Sequence, residues 1–477
     1  ANQCIRSLRL NPGPGAEGGS VLEHLHTAHR SSLRLLDLTG IGLGDRGGPR
    51  LCELLANGSC SMCTSLKLAN NKLTDGAVGP LLVDVLRSDT CAITSLDLSG
   101  NEIGGAILAR VVRSNTSLTS LDFRKNPLDD NALWLVGGLL LEEDCQCKLG
   151  SLCTYAFELA EGIVDLTLRD SKLEAGAARC LVGVIKFNNT VTHLDLSGCG
   201  ITVSAATSLS KAVAHNATLT HLDLSRNPLS DVSLYKESEL EFVRSPFHSL
   251  ANAVAFSPSL AVFALAGTPL LPPQIKGASA AAYSASAAAH SASTKLLDLS
   301  SQSLNPLSGI VIGALVSQNT SLTELALQNN SSLGAEGTRA ITERLSPSML
   351  RTLDLNAVIP PPAAAGGSAP AGGIAPAPTA HQLKKQGEKL AALCASIGKL
   401  SALEKLTLDK NSLVELPGIG DLHELKALTL NNNRIETFPE SLCFLKSLKR
   451  LAARSNRLLE LPSAIGQLES LESLDLK

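Results

Sequence analysis

The chain has 477 residues, of which 44% are hydrophobic and only 3% aromatic, and its formal net charge is −3. Nucleic acid is not an expected partner, because there is no excess of Lys and Arg to neutralise a phosphate backbone. No apolar run reaches the roughly 20 residues of a membrane-spanning helix, so we expect no membrane insertion. With so few aromatic residues, Leu, Ile, Val and Ala must build the core.

One pattern, L-x-x-L-x-L-x-x-N-x-L, recurs from a degenerate copy at Ile5 to the last residues and gives about sixteen units. The L-x-L alternation is typical of a strand with every second side chain buried. We therefore expect the strands of successive units to stack in parallel into one long sheet. The fourth position of the pattern is occupied in turn by Leu36, Leu66, Leu96, Leu121, Leu166, Leu194, Leu222, Phe263, Leu297, Leu325, Leu353, Leu406, Leu428, Leu451 and Leu474.

Residues 1–358 hold the longer units, which we call the first arc. Their second halves repeat apolar residues at three- and four-residue intervals, which predicts amphipathic helices at 176–187, 205–216 and 309–319. Wider spacings predict insertions that leave the stack as loops, where binding commonly occurs. These insertions lie near residues 129–162, 230–259 and 271–293.

The units become shorter after a joint in the chain. Residues 359–381 are rich in Pro, Ala and Gly, a composition typical of a linker. Residues 382–400 then predict a helix that caps the following strand. Residues 401–477 form the second arc, with 22–23-residue units that leave room only for short extended or 3-10 segments behind the sheet.

The ninth position of the pattern is commonly asparagine. There the backbone leaves the sheet and its N–H and C=O groups lose their partners, and an amide side chain can satisfy them. We predict a structural ladder formed by Asn71, Asn101, Asn126, Asn227, Asn330, Asn411, Asn433 and Asn456.

On these motifs the chain is identified as a member of the leucine-rich-repeat superfamily. NTSLTSLDFRKNPL at 115–128 and NATLTHLDLSRNPL at 216–229 resemble the ribonuclease-inhibitor-like class, which includes ribonuclease inhibitor, NOD-like receptor arms and the Ran GTPase-activating protein. Residues 401–477 are similar to intracellular Ras-group and polarity-scaffold repeats. The resemblance implies an α/β solenoid, a horseshoe with a parallel sheet on its concave face and helices or short segments on its convex face. It also implies that proteins bind to the concave sheet.

The phrase Thr-His-Leu-Asp-Leu occurs twice, 28 residues apart, so His193 and His221 should stack within about 5 Å on neighbouring strands. A polar protein-binding patch is the favoured interpretation; a solvated face without ligand and a divalent-metal site are the alternatives. The aspartates of this face should repel one another unless cations or a basic partner approach. The predicted partner-binding residues are Asp97, Asp122, Arg124, Lys125, Arg169, His193, Asp195, His221, Asp223, Arg226, Lys449, Arg450 and Arg454.

No P-loop, nucleophile elbow, HExxH or kinase motif occurs, so we expect neither an enzyme nor a cofactor or metal. The favoured function is a non-catalytic scaffold that binds other proteins, as part of a large cytoskeletal or ciliary assembly. The alternatives are a regulator of a small GTPase and the ligand-sensing arm of an innate-immune receptor. We expect a cytoplasmic location, since the cysteines show no pairing pattern.

Overall fold

The computed structural model describes residues 6–10, 22, 33–56, 62–80, 85–86, 91–230, 240–265, 269–276, 295–361, 380–416 and 418–477. The chain divides into two compact units. Unit 1 contains Ala1–Leu222, Asn227–Leu229 and Ser257–Leu260, and unit 2 contains Asp223–Arg226, Ser230–Phe256 and Ala261–Lys477.

The strands of unit 1 are short and lie in register on their middle leucines. Leu8, Leu36, Leu66, Leu96 and Leu121 pair in sequence across a parallel ladder. Leu166 and Leu194 pair in the same way further along the chain. The strands are β1 Ser7–Arg9, β2 Leu35–Asp37, β3 Ser65–Lys67, β4 Ser95–Asp97, β5 Ser120–Asp122, β6 Ser151–Cys153, β7 Glu158–Leu159, β8 Asp165–Thr167, β9 His193–Asp195 and β10 His221–Asp223, whose last residue belongs to unit 2.

Helices cover one side of this sheet because each has a buried apolar stripe. In Gly105–Ser114 the buried residues include Ile107, Leu108, Val111 and Val112, which recur at helical spacing. The helices of unit 1 are α1 Gly44–Ala56, α2 Asp75–Pro80, α3 Gly105–Ser114, α4 Asp130–Leu140, α5 Ala175–Ile185 and α6 Ala206–His215.

The insertion predicted near 129–162 needs a correction, because it contains a helix and two short strands. Helix α4 occupies its first part, and Leu152 of β6 pairs in register with Leu121. The chain then reverses, and β7 pairs antiparallel to β6. Leu152 therefore belongs to a repeat that the sequence pattern missed. The pattern missed it because no asparagine occupies the ninth position of this repeat.

Unit 2 is built on a parallel ladder of seven strands, β13 to β19, preceded by an antiparallel pair, β11 and β12. Leu297, Leu325, Leu353, Leu406 and Leu428 pair in sequence. The strands are β11 Val262–Ala264, β12 Pro269–Leu270, β13 Leu296–Asp298, β14 Glu324–Ala326, β15 Thr352–Asp354, β16 Lys405–Thr407, β17 Ala427–Thr429, β18 Arg450–Ala452 and β19 Ser473–Asp475.

The covering of the unit 2 sheet changes from helices to 3-10 turns, which confirms the predicted difference between the arcs. The helices are α7 Leu240–Phe256, α8 Pro272–Ile275, α9 Pro306–Val316, α10 Gly334–Thr342 and α11 Ala380–Gly398. After them, the 3-10 turns Glu440–Phe444 and Ile465–Gln467 cover the last strands. Helix α7 lies in the insertion predicted at 230–259 and α8 in that at 271–293; residues 231–239 and 277–294 lie outside the described residues.

The predicted capping helix at 382–400 is α11, but it does not cap an edge. Strands β15 and β16 pair directly, with Leu353 opposite Leu406, although residues 362–379 of the predicted linker lie outside the described residues. Helix α11 packs on α10, where the hydroxyls of Thr342 and Ser396 are 2.6 Å apart and Lys389 pairs with Glu336 at 3.0 Å. It is thus the helical back of the repeat that begins with β15.

The asparagines of the ninth position join each repeat to the preceding repeat. Asn101 donates from Nδ2 to the carbonyls of Leu68 and Leu98, and its Oδ1 accepts the N–H groups of Asn71 and Leu73, all within 3.1 Å. Cys199 donates its thiol to the carbonyl of Leu168 at the same position. Hydrogen bonds to the preceding repeat are also made by Asn71, Asn126, Asn227, Asn330, Asn411, Asn433 and Asn456.

Candidate protein-interaction surface

Each strand directs its middle leucine into the core and the two flanking side chains to the opposite side. We call that opposite side the exposed sheet face. The middle residues Leu166, Leu194 and Leu222 of β8, β9 and β10 are buried, whereas the flanking residues Asp165 and His193 are exposed. Because the strands are in register, equivalent side chains of successive units form rows.

A pair of stacked histidines lies on the exposed sheet face of unit 1. The ring centroids of His193 and His221 are 3.9 Å apart and the planes differ by 16°. Nδ1 of His193 lies 3.0 Å from Oδ1 of Asp165, on the neighbouring strand β8. The predicted approach of the two histidines is therefore observed. We call Asp165, His193 and His221 the histidine patch.

Hydrogen bonds fix which ring nitrogen carries the proton. The Thr220 hydroxyl lies 3.0 Å from the carbonyl oxygen of Thr192, to which it can only donate, and 2.8 Å from Nδ1 of His221. Its single proton is then committed, so Nδ1–H of His221 donates to it. Nδ1 of His193 lies 3.0 Å from the Asp165 carboxylate, which only accepts, and 2.8 Å from the Thr192 hydroxyl, which can accept as well as donate. We therefore assign both protons to Nδ1, which leaves two Nε2 lone pairs when the rings are neutral.

The environment of the pair favours the neutral form of His221. Partial burial lowers the pKa of His221 below its ordinary value, and the neighbouring His193 lowers it further, while the Asp165 carboxylate acts in the opposite direction. His221 thus presents a hydrogen-bond acceptor at neutral pH and a donor in acid.

The aspartates of the Leu-Asp-Leu motif have an architectural role that the sequence did not reveal. Each carboxylate accepts the backbone N–H of the residue two positions later, where the chain turns away from the sheet. The bond measures 2.9 Å at Asp97, 2.9 Å at Asp195 and 2.8 Å at Asp223. The same bond recurs at Asp37, Asp122, Asp298 and Asp354.

Arginines offset three of these carboxylates among the described residues, and at Asp37 the partner is Arg9 at 3.5 Å. Arg169 pairs with Asp195 at 2.8 Å, and Arg124 pairs with Asp122 at 2.6 Å and with Glu158 at 3.0 Å. Burial alone would raise the pKa of Asp195, but the bonds from Ser197 and the Arg169 guanidinium outweigh it and leave the pKa lowered. The expected repulsion is therefore relieved within the chain at the aspartates that have an arginine partner.

The predicted binding residues divide into separate groups. His193, His221, Arg169 and Asp195 lie together on β8 to β10 or just after them, and Asp97, Asp122 and Arg124 lie at β4 and β5. Lys125 sits at the turn after β5 with a positive φ of 55° and is exposed.

The remaining predicted residues belong to unit 2. Asp223 and Arg226 flank the turn after β10, where Arg226 has φ of 58°. Lys449 pairs with Glu472 at 3.0 Å, Arg454 pairs with Asp475, and Arg450 lies exposed on β18.

Asp165, Glu158 and the threonines beside the histidines are further residues of this face that were not predicted. Asp165 occupies the strand position of His193 and His221 in IVDLTL at 163–168, so the pattern could have found it. Glu158 could not be found, because it depends on the reversal between β6 and β7. Within the described residues, no group of three or more His, Cys, Asp and Glu side chains could hold a metal ion.

Comparison with known proteins gives matches to leucine-rich repeats. A model described as a leucine-rich repeat region matches residues 382–477, and a second repeat model matches residues 91–110, 114–133, 187–210, 215–236 and 318–341. The chain is 31% identical over 159 residues to mouse ribonuclease inhibitor, covering 30% of this chain and 34% of that protein. It is 29% identical over 169 residues to human NACHT, LRR and PYD domains-containing protein 5, covering 32% of this chain and 14% of that one.

The chain therefore spans about a third or less of the length of these two relatives. A solved leucine-rich-repeat protein of Leptospira interrogans aligns with 96% of this chain and 87% of its own, at 17% identity and a TM-score of 0.25. A score this low says nothing about function. In the part of the chain that the structure describes, no helix is both long and apolar enough to cross a membrane.

Proposed function

Since the chain belongs to the leucine-rich-repeat family, with repeats of the ribonuclease-inhibitor-like class in the first arc, we propose that it is a non-catalytic scaffold that binds a partner protein on its exposed sheet face. The histidine patch and the adjacent Arg169–Asp195 pair form the centre of the proposed surface. Short strands paired in register hold these side chains in fixed rows, so little conformational entropy is lost on binding.

The observation that carries this proposal is the stacked, solvent-accessible histidine pair, whose ring centroids are 3.9 Å apart on neighbouring strands. Its Nε2 atoms accept hydrogen bonds at neutral pH, and the Asp165 carboxylate beside them is 73% exposed. These groups suit a cationic side chain, Arg or Lys, supplied by the partner. In acid the His221 imidazole becomes cationic and repels such a side chain.

The test compares partners recovered from extracts of the protein's own cells by the wild-type chain and two variants. His193→Ala with His221→Ala removes the patch; His215→Ala with His423→Ala is the matched control, because both control histidines are exposed and lie outside the strands. We expect partners that are lost only with the patch variant and that also dissociate as the pH falls below about 6.5, the ordinary histidine value, because the pKa of His221 is lowered. Equal recovery by both variants would contradict the proposal.

A second candidate is the leucine-rich-repeat arm of a larger receptor. The matches to human and bovine NACHT, LRR and PYD domains-containing proteins favour it, at 27–29% identity. The complete transcript tests it, since a NACHT-encoding segment in the same reading frame is required.

Two finer hypotheses have no support from these relatives and stay predictions. Membership in a cytoskeletal or ciliary assembly requires co-localisation with that structure. Regulation of a small GTPase requires that the chain accelerates GTP hydrolysis, and failure to do so with a panel of small GTPases would exclude the activating form.

A further inference from the structure

The helical side of unit 1 carries an apolar patch that its own core does not use. Helix α4 buries Leu133, Val136 and Leu139, while Trp134 is 44% and Leu135 50% exposed. Trp134 is the chain's single tryptophan. An exposed aromatic side chain beside an exposed leucine is typical of an interaction surface rather than of a solvated helix face.

A groove of about 390 Å³ opens next to these two residues, and we call it the Trp134 groove. Its walls come from α3, α4, α5 and α6. Its lining includes the side chains of Arg113, Trp134, Leu135, Glu142, Arg179 and Lys211.

The Arg179 guanidinium forms part of the groove's wall by stacking on the indole. Its Cζ lies 4.3 Å from the Trp134 ring centroid, within the range of a cation–π contact. Gly138 leaves room for this arrangement, because a Cβ there would come within 3.2 Å of the guanidinium. The arginine is thereby held in place with its N–H edge available for an acceptor.

The charges around the groove are unbalanced. Lys211 is partly engaged, because Nζ donates to the carbonyl of Leu141 at the end of α4, where the helix dipole favours a cation. Among the described residues, neither Arg113 nor Arg179 has a carboxylate within salt-bridge distance. Glu142 is the one acidic side chain among the described lining residues. The groove therefore carries an excess of positive charge beside an apolar floor.

We propose that the Trp134 groove binds an acidic peptide segment of a partner protein. Carboxylates of the segment pair with Arg113 and Arg179, and an aliphatic side chain packs against Trp134 and Leu135. A nucleic acid suits the groove less well, because the aliphatic floor offers no partner for a polar backbone and the chain's net charge is −3. This site is independent of the exposed sheet face.

The single tryptophan makes the test direct, since its fluorescence reports only this groove. The probe is a short acetylated peptide of alternating Glu and Leu, titrated into the 477-residue chain at low salt. We expect a saturable change in emission that weakens with added salt. The same peptide with Gln in place of Glu should bind about tenfold more weakly, because the charged hydrogen bonds are lost.

Variants separate a specific site from general attraction. Arg113→Ala with Arg179→Ala should weaken binding of the acidic peptide by about tenfold or more. Arg110→Ala is the matched control, because Arg110 is exposed on the same helix, outside the groove lining, and should leave the affinity unchanged. The proposal is overturned if the Glu and Gln peptides bind equally, if both variants behave alike, or if a single-stranded oligouridylate binds more tightly than the acidic peptide.

Discussion

At each turn that follows a strand, a buried asparagine side chain replaces the ladder partners that the backbone loses. The two hydrogens of Asn101 Nδ2 and the lone pairs of its Oδ1 are used on four backbone groups from two consecutive turns. An amide is the smallest side chain with two donors and two acceptor sites on one plane. The chemistry of the turn, rather than the packing of leucines, therefore makes asparagine the residue that the sequence repeats.

Replacing Asn101 with Leu should lower the free energy of unfolding by at least about 2 kcal/mol, because each buried group left unsatisfied costs about 1–3 kcal/mol. Urea unfolding followed by circular dichroism measures the change. Asn131→Leu is the control, since Asn131 is exposed on α4. Equal midpoints for the two variants would mean that the ladder contributes nothing.

The histidine pair gives a prediction about protonation. Because His193 lowers the pKa of His221, His193→Ala should raise it, and Asp165→Asn should lower it further by removing the favourable carboxylate. Nuclear magnetic resonance titration of the His221 ring proton measures both shifts. An unchanged His221 pKa in His193→Ala would show that the rings do not sense each other.

The same lowered pKa makes stability depend on pH. The unfolded chain binds a proton at His221 more readily than the folded one, so its contribution to stability is present above the ordinary histidine value of about 6.5. The contribution of His221 is lost as the pH falls from about 6.5 through the lower pKa that His221 has in the folded chain. Acidification over this range should therefore destabilise the wild type more than His221→Ala.

The aspartates show where residue-level prediction failed. Their recurrence in Leu-Asp-Leu suggested a binding stripe under repulsion, but each carboxylate caps the turn of its own strand. A pattern of one residue type cannot distinguish the two roles, because both place the side chain on the same face. Only the bond to the N–H two residues later decides between them.

At the scale of elements, glycines set how closely neighbouring helices pack. A Cβ on Gly137 of α4 would lie 2.6 Å from the backbone of Arg179 and Cys180 in α5. Backbone atoms cannot move aside as a flexible side chain can. The contact between α4 and α5 therefore requires glycine at this position.

Gly137→Ala should destabilise unit 1 by about 1–3 kcal/mol, the usual cost of overpacking. Gly387→Ala in α11 is the matched control, because no atom lies within 4 Å of its added Cβ. The control should gain about 0.5–1 kcal/mol, as expected for Gly to Ala in an exposed helix. Urea midpoints of the two variants that move in the same direction would contradict this account of the helix contact.

The repeat pattern did not predict strand β6, and it did not predict the role of helix α11. Strand β6 was missed because the chain reverses after it, with the N–H of Thr154 donating to the carbonyl of Phe157 at 2.8 Å. Helix α11 was predicted within two residues of its true bounds, but its role was wrong. The role of α11 depends on the pairing of β15 with β16, and these two strands are separated by about fifty residues of sequence.

At the scale of the whole molecule, the repeat is what the sequence predicts best. Evenly spaced leucines determine which residues are buried, and each strand can only complete its hydrogen bonds against the next unit. The solenoid class and the change from helical to 3-10 backs follow from this spacing. The histidine patch also follows, since register brings His193 next to His221 and opposite Asp165, while the proton positions depend on hydrogen bonds that the pattern does not predict.

In the proposed complex, a partner protein covers the exposed sheet face at the histidine patch. Modification of histidines by diethyl pyrocarbonate, located by mass spectrometry with and without a recovered partner, tests it most directly. We predict that His193 and His221 become protected in the complex, while His215 and His423, exposed outside the strands, react as before. An unchanged modification rate at His193 and His221, together with protection of His215 or His423, would contradict binding at the histidine patch.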